Sequence, residues 1–223
     1  AYLIQEQVPP SRILAVTFTN KAANEMKERL SQMLGESGKD AYLSTFHSLG
    51  VRILRDTIQL MGYQKNFVIY DSQDQLALIR NIMEEEGLSD SPLIDPKSAH
   101  HMIHQAKTQG LTPEEMLVQN AHPRTRLIGQ LFQQYQKTLK GCNALDFEDI
   151  LNLCLQLFES QPEAMQETRD RFRYVMVDEY QDTNSVQYRL LKHLVRDHQN
   201  LCVVGDDDQS IYGWRGAEPG NLF

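Results

Sequence analysis

Asp178 and Glu179 directly follow Tyr174-Val175-Met176-Val177, a short apolar run rich in β-favouring residues. An aspartate at the carboxyl end of a parallel strand stands where open α/β sheets take their ligands. There it can hold Mg²⁺ together with a nucleotide's phosphates. The adjacent glutamate is placed to take a proton from an attacking water. The alternative for an isolated Asp-Glu pair is a solvated turn.

Residues 201–204 repeat the strand-then-acid pattern and lead into Gly205-Asp206-Asp207-Asp208-Gln209-Ser210-Ile211-Tyr212-Gly213-Trp214-Arg215-Gly216. The Gln209 amide can donate to a terminal phosphate and so report its presence; otherwise it is a turn residue. Tyr212 and Trp214 are two apart, so on extended backbone they face one side. Stacking on such a platform contributes about 1–3 kcal/mol per base and tolerates any base. Tryptophan is ordinarily a core residue, but the flanking Gly213, Arg215 and Gly216 favour a loop. The expectation is that the acidic and aromatic pairs stand on opposite sides of one sheet.

Residues 13–19 read as a buried strand, and Asn20 can cap a helix whose apolar Ala23, Met26, Leu30 and Met33 recur at helical spacing. Residues 41–45 read as another strand, leading into a helix over about 48–60. Strand, helix, strand, helix predicts a parallel, nucleotide-type sheet. From Asp71 the strand signal stops for roughly a hundred residues. Helices are expected over 71–86, ended by Gly87, and from Pro96 to near Gly110. Thr112 and Pro113 supply a cap and a first-turn proline, and residues 123–140 and 146–158 complete the helical block. Strands return at 174–177 and 201–204. The fold class is therefore α/β: residues 1–47 and 160–223 form one parallel-sheet domain, interrupted by an all-helical insertion over 48–159.

An apolar content of 41% in 223 residues is enough for a real core. The net charge is −8, but residues 1–60 carry +1, leaving −9 for the rest. Net charge describes the average field, whereas phosphate binding needs only a local basic groove. Cys142, Cys154 and Cys202 form no C-x-x-C pair, which points to reduced thiols in a cytoplasmic protein. No run approaches the length of a membrane helix. His100, His101 and His104 have metal-ligand spacing on a helix but no third ligand close by, so a surface helix explains them better. Gly35-Glu36-Ser37-Gly38-Lys39-Asp40 is too short for a phosphate loop and is read as an ordinary loop.

Residues 178–184 (Asp-Glu-Tyr-Gln-Asp-Thr-Asn) and 205–216 resemble motifs II and III of superfamily 1 helicases of the UvrD, PcrA and Rep type. Ala15-Val16-Thr17-Phe18-Thr19-Asn20-Lys21-Ala22-Ala23 resembles motif Ia, and Ser44-Thr45-Phe46-His47-Ser48-Leu49-Gly50 resembles motif Ib. Residues 142–149 and 74–78 are most similar to the Rep branch.

The resemblance implies a RecA-like (P-loop NTPase) motor domain, subdomain 1A, holding a helical subdomain 1B. It implies ATP and Mg²⁺ as cofactors, with Asp178 on the metal, Glu179 on the water and Gln209 as phosphate sensor. Residues 206–208 become a structural lead-in. Phe18, Thr19, Asn20, Thr45, His47, Tyr212, Trp214 and Arg215 would meet single-stranded DNA. The plainer readings are core for Phe18, a helix cap for Thr45 and a partly buried ring for His47.

The implied activity is 3′ to 5′ movement on single-stranded DNA and unwinding at ss/dsDNA junctions, in replication restart or repair and alongside their proteins. The family's Walker A segment is expected upstream of Ala1 and its second motor domain beyond Phe223, so these residues alone should be inactive. Two rivals are a non-catalytic ssDNA-binding or interaction module and the motor subunit of a recombination nuclease complex. Stacking residues do not separate DNA from RNA.

Overall fold

Strand β1 (Ile13–Thr17) is buried at all five positions, as a central strand covered on both faces must be. The computed structural model describes residues 1–119 and 122–206. A single helical turn, α1 (Tyr2–Gln5), precedes β1, and α2 (Asn20–Leu34) follows it. The cap of α2 is Thr19 rather than Asn20: the Thr19 hydroxyl accepts the Ala22 N–H at 3.1 Å. Strand β2 (Tyr42–Thr45) runs straight into α3 (Phe46–Thr57), two residues earlier than the sequence pattern suggests. Thr45 makes this abrupt change possible, since its hydroxyl accepts the Ser48 N–H at 3.2 Å.

The chain continues through β3 (Val68–Ile69), α4 (Ser72–Glu85), α5 (Pro96–Thr108), α6 (Pro113–Gln119), α7 (Pro123–Gly141), β4 (Ala144–Leu145) and α8 (Phe147–Ser160). It ends with α9 (Gln166–Arg171), β5 (Tyr174–Val177), α10 (Ser185–Val195) and β6 (Leu201–Val203). Two compact units result, one of residues 1–54 with those from 154 on, the other of residues 55–153. The chain passes between them within α3 and again within α8.

In the first unit the sheet order is β2-β1-β5-β6, and every neighbouring pair is parallel. The register sets Val16 beside Val177 and Val177 beside Val203. Leu14, Val16, Val175 and Val177 are buried in the sheet, with Leu49, Leu190 and Leu194 among the buried helical residues. This register brings the carboxyl ends of β1, β2, β5 and β6 to one edge, where Phe18, Thr45, Asp178 and Glu179 stand.

The second unit buries Ile79, Ile82 and Met83 of α4, Ala99, Ile103 and Ala106 of α5, and Ile128, Leu131, Phe132, Tyr135 and Leu139 of α7. These spacings of three and four are the apolar stripes of amphipathic helices. Asp71 with Asp74, and Asp95 with Ser98, form reciprocal capping boxes. Thr112 and Glu115 do the same for α6, each accepting the other's backbone N–H. Prolines 96, 113 and 123 stand at first helical positions, where a missing N–H costs nothing. Among its described residues the insertion's regular structure is helical except for a two-residue parallel ladder, Val68–Ile69 against Ala144–Leu145. Strands this short carry no alternation for a sequence pattern to detect.

Its core also holds charge. Lys107 is 2% exposed and its ammonium lies 2.5 Å from Asp146 and 2.6 Å from Asp149. The Tyr135 hydroxyl donates to Asp146 at 3.0 Å, and Gln136 bridges Lys107 and Asp149. Burial alone would push the Lys107 pKa down, but the two carboxylates outweigh it and the pKa is raised. One ammonium cannot neutralise two buried carboxylates. Burial pushes Asp149 up to about 6, against the pull of Lys107.

Two outcomes follow. Lys107→Met strands two buried anions, and urea unfolding should show a loss of about 3–5 kcal/mol. Asp149 binds its proton more tightly folded than unfolded. Its contribution to stability is therefore full below the unfolded pKa and is lost as pH climbs through the folded one. Between roughly pH 4 and pH 7 the parent should lose more stability than Asp149→Asn, as read from unfolding midpoints at each pH.

Candidate functional site

Asp178 extends β5 by one residue, its N–H donating to the Val16 carbonyl at 3.0 Å. It thereby sits at the carboxyl edge of the sheet, half-buried, while Glu179 beside it is exposed. Glu179 adopts a left-handed conformation, φ 54° and ψ 42°, which costs a non-glycine residue of order 1–2 kcal/mol. Local bonds offset that cost. The Glu179 N–H donates to Asp178 Oδ1 at 3.1 Å, and the Glu179 carbonyl accepts the Asp182 N–H at 2.9 Å.

The remainder of the segment is built around this turn. Tyr180 is buried and its N–H donates to the Val204 carbonyl at 2.9 Å, tying the turn to the end of β6. Thr183 is wholly buried, with its hydroxyl donating to the Tyr180 carbonyl at 2.6 Å. Asn184 caps α10 in a reciprocal box with Gln187. The run from Asp178 to Asn184 thus contains an edge acid, a strained turn, an anchor and a helix cap in seven residues.

The donor set suits one kind of metal. Among the described residues no three His, Cys, Asp or Glu side chains gather as a metal cluster. Mg²⁺ that arrives with phosphates needs only one or two carboxylates, keeping water elsewhere in its shell. Asp178, a half-buried carboxylate at the sheet edge with Oδ1 accepting a backbone N–H, fits that requirement. Among the described residues no basic side chain pairs with Asp178 or Glu179.

Along the same edge, Phe18 is half-buried with its ring centroid 5.5 Å from that of buried Phe46. Thr19 and Asn20 are exposed at the start of α2. A groove of about 370 Å³ opens between α2 and β2, lined by Asn20, Asn24, Lys27, Ser44 and Ser48 among others. His47 is half-buried. Thr45 is only 7% exposed and its hydroxyl is committed to Ser48, donating to Oγ at 2.9 Å besides capping the helix. What Thr45 supplies is the sharp strand-to-helix turn that presents its neighbours.

Gln209, Tyr212, Trp214 and Arg215 lie outside the described residues, as does the expected placement of the aromatic pair across the sheet. In the other unit, His100 Nε2 meets Gln75 Oε1 at 2.9 Å and His104 Nδ1 meets Glu148 Oε1 at 3.0 Å. Burial lowers the His100 pKa, whereas the hydrogen bond to Glu148 raises that of His104. Each ring thus has its own protein partner.

Two residues were not singled out by the sequence reading. Thr17 is completely buried at the end of β1, and its hydroxyl has no partner among the described residues. Gln181 is 1% exposed and bonds to the Glu179 carboxylate. A polar residue closing an apolar run was the available signal for Thr17; Gln181 stood within the motif II resemblance, where no role of its own was assigned to it.

No helix among the described residues is long and apolar enough to cross a membrane. The family model described as UvrD/REP helicase N-terminal domain matches residues 1–223. The chain is 46% identical over 224 residues to the ATP-dependent DNA helicase PcrA of Bacillus subtilis, covering 100% of this chain and 30% of that protein. It is 43% identical to the PcrA of Staphylococcus epidermidis, over 100% of this chain and 31% of that protein. With the PcrA of Staphylococcus aureus the identity is 42%, over 100% of this chain and 30% of that protein. The chain spans about a third of the length of these relatives. Its matched length, its parallel sheet and the acidic turn at the sheet edge together show that it belongs to the UvrD/REP helicase N-terminal domain family.

Proposed function

We propose that this chain is the amino-terminal motor portion of an ATP-dependent DNA helicase that moves 3′ to 5′ on single-stranded DNA and opens ss/dsDNA junctions. The observation that carries the reading is the adjacent carboxylates of Asp178 and Glu179 at the carboxyl edge of a parallel sheet, in a family whose members above are named ATP-dependent DNA helicases. Asp178 is assigned to hold Mg²⁺, directly or through water, and the bound metal would neutralise charge on the nucleotide's phosphates. Glu179 orients the attacking water and accepts its proton as the water oxygen bonds to the terminal phosphorus, while the bond from that phosphorus to the bridging oxygen breaks and the nucleoside diphosphate leaves. Gln209 senses that phosphate.

On the DNA side Phe18, Thr19, Asn20 and His47 line the track, with Thr45 shaping the turn beneath them. Tyr212 and Trp214 provide the stacking platform and Arg215 a phosphate contact. Gln209 and Trp214 are five residues apart in sequence, so one short segment can link phosphate state to base grip. Residues 48–159 are assigned to inserted subdomain 1B and the remainder to 1A, a reading supported by the compact unit of residues 55–153 within those bounds. Replication restart or repair in the cytoplasm is the setting we assign.

In the full-length protein, Glu179→Gln should lower ssDNA-stimulated ATPase by about 10²–10⁴-fold while leaving ssDNA affinity in place. Unchanged turnover would reject the assignment of the base. Trp214→Ala should reduce the distance translocated per ATP consumed, measured by stopped-flow on labelled single strands. Undiminished coupling would remove Trp214 from the stepping mechanism.

A further inference from the structure

An exposed glutamate ordinarily samples several rotamers, and ordering such a side chain costs of order 1 kcal/mol or more. Glu179 is exposed, yet its Oε2 accepts a hydrogen bond from Gln181 Nε2 at 2.7 Å. Gln181 is itself 1% exposed, so the group that reaches out to the carboxylate is fixed in the interior. The other end of the same amide, Oε1, accepts the Asp206 backbone N–H at 3.1 Å. A carboxylate accepts and a backbone N–H donates, so the two contacts leave the amide one orientation.

The exit of β6 is shaped to this amide. A Cβ at Gly205 would lie 2.6 Å from Gln181 Oε1 and 3.3 Å from the backbone nitrogens of Gln181 and Tyr180. Only glycine lets the strand exit come this close. The Tyr180 N–H, donating to the Val204 carbonyl at 2.9 Å, holds the same approach one residue earlier. The acidic turn after β5 and the backbone leaving β6 are therefore joined through a single buried side chain.

We propose that Gln181 is the positioning residue of the active site, holding the Glu179 carboxylate by Oε2 so that Oε1 is presented to the attacking water. This rests on the reading of Glu179 as the base. Gln181 is 1% exposed and offers almost no surface to a ligand, so its loss should act on the chemical step rather than on binding. Gly205 is the second half of the device, because any side chain there displaces the amide.

The experiment uses the full-length protein and measures ssDNA-stimulated kcat, KM for ATP, ssDNA affinity and thermal midpoint. The variants are Gln181→Met, Gly205→Ala, the two combined, and Glu179→Gln. Gln181→Met keeps the length of the side chain without its amide and should lower kcat about 10- to 100-fold, with KM and ssDNA affinity within about twofold and the midpoint unchanged. Gly205→Ala should lower kcat in the same way, and the double variant should lose no more than Gln181→Met alone, because the displaced amide is already gone.

Unchanged kcat in Gln181→Met while Glu179→Gln is dead would overturn the inference and leave the base assignment standing. Losses that multiply in the double variant, or a fall in kcat matched by a rise in KM and a lower midpoint, would also overturn it. Full turnover in Glu179→Gln would remove the base reading and this inference together. If Gln181→Met does not fold, Gly205→Ala decides: a selective loss of kcat supports the device and parent-like kcat rejects it.

Discussion

The parallel ladder of β1 with β5 pairs Ile13 to Val16 with Tyr174 to Val177, so residues from opposite ends of the chain become neighbours. Every feature of the acidic edge depends on that register. Asp178 is held at the edge by the Val16 carbonyl, and the turn after it is tied to β6, which pairs with β5. A slip of one residue would turn each side chain of β5 to the opposite face. Burial on both faces of β1 opposes such a slip, because Leu14 and Val16, like Ile13 and Ala15, lie in apolar surroundings.

The long excursion between these strands carries a modest entropic cost, since loop-closure entropy grows only with the logarithm of length. The unit of residues 55–153 has its own apolar core, so the excursion is stable structure rather than a loose loop. Its buried Lys107 with Asp146 and Asp149 is a different kind of bond from the surrounding leucines and isoleucines. A buried ion pair adds little over a well-packed apolar group, but breaking one partner is expensive. Asp146 and Asp149 also cap α8 reciprocally, so charge, cap and core all select one placement of that helix against α5 and α7.

At the sheet edge, strain and restraint occur together. Glu179 is held left-handed by hydrogen bonds on both of its peptide groups, and its carboxylate is held by Gln181. The role proposed for Glu179, acting on one water at one distance, would gain from this, since pre-set geometry removes an entropic cost from a reaction step. The same restraint passes to β6 through a close approach that Gly205 permits. The chemistry of the turn and the backbone of the next strand are thus mechanically joined.

Much of this was legible in the linear order of residues. The helices of the second unit follow from apolar spacing with Asp71, Asp95 and Thr112 as caps, and Asp178-Glu179 after a valine-rich run marked the edge acids. The differences were local in kind: Thr19 rather than Asn20 caps α2, and α3 begins at Phe46 directly after β2, with Thr45 in the helix-cap role that is its plainer reading. Periodicity sees neither, because both depend on which of two adjacent polar side chains bends back to the backbone. The short β3–β4 ladder, the burial of Lys107, the orphan hydroxyl of Thr17 and the reach of Gln181 to Asp206 were decided by tertiary structure. Patterns in a sequence record what a residue does with neighbours three or four positions away. Which strand lies beside which, and which amide closes on which carboxylate, is settled only when distant segments compete for the same buried space.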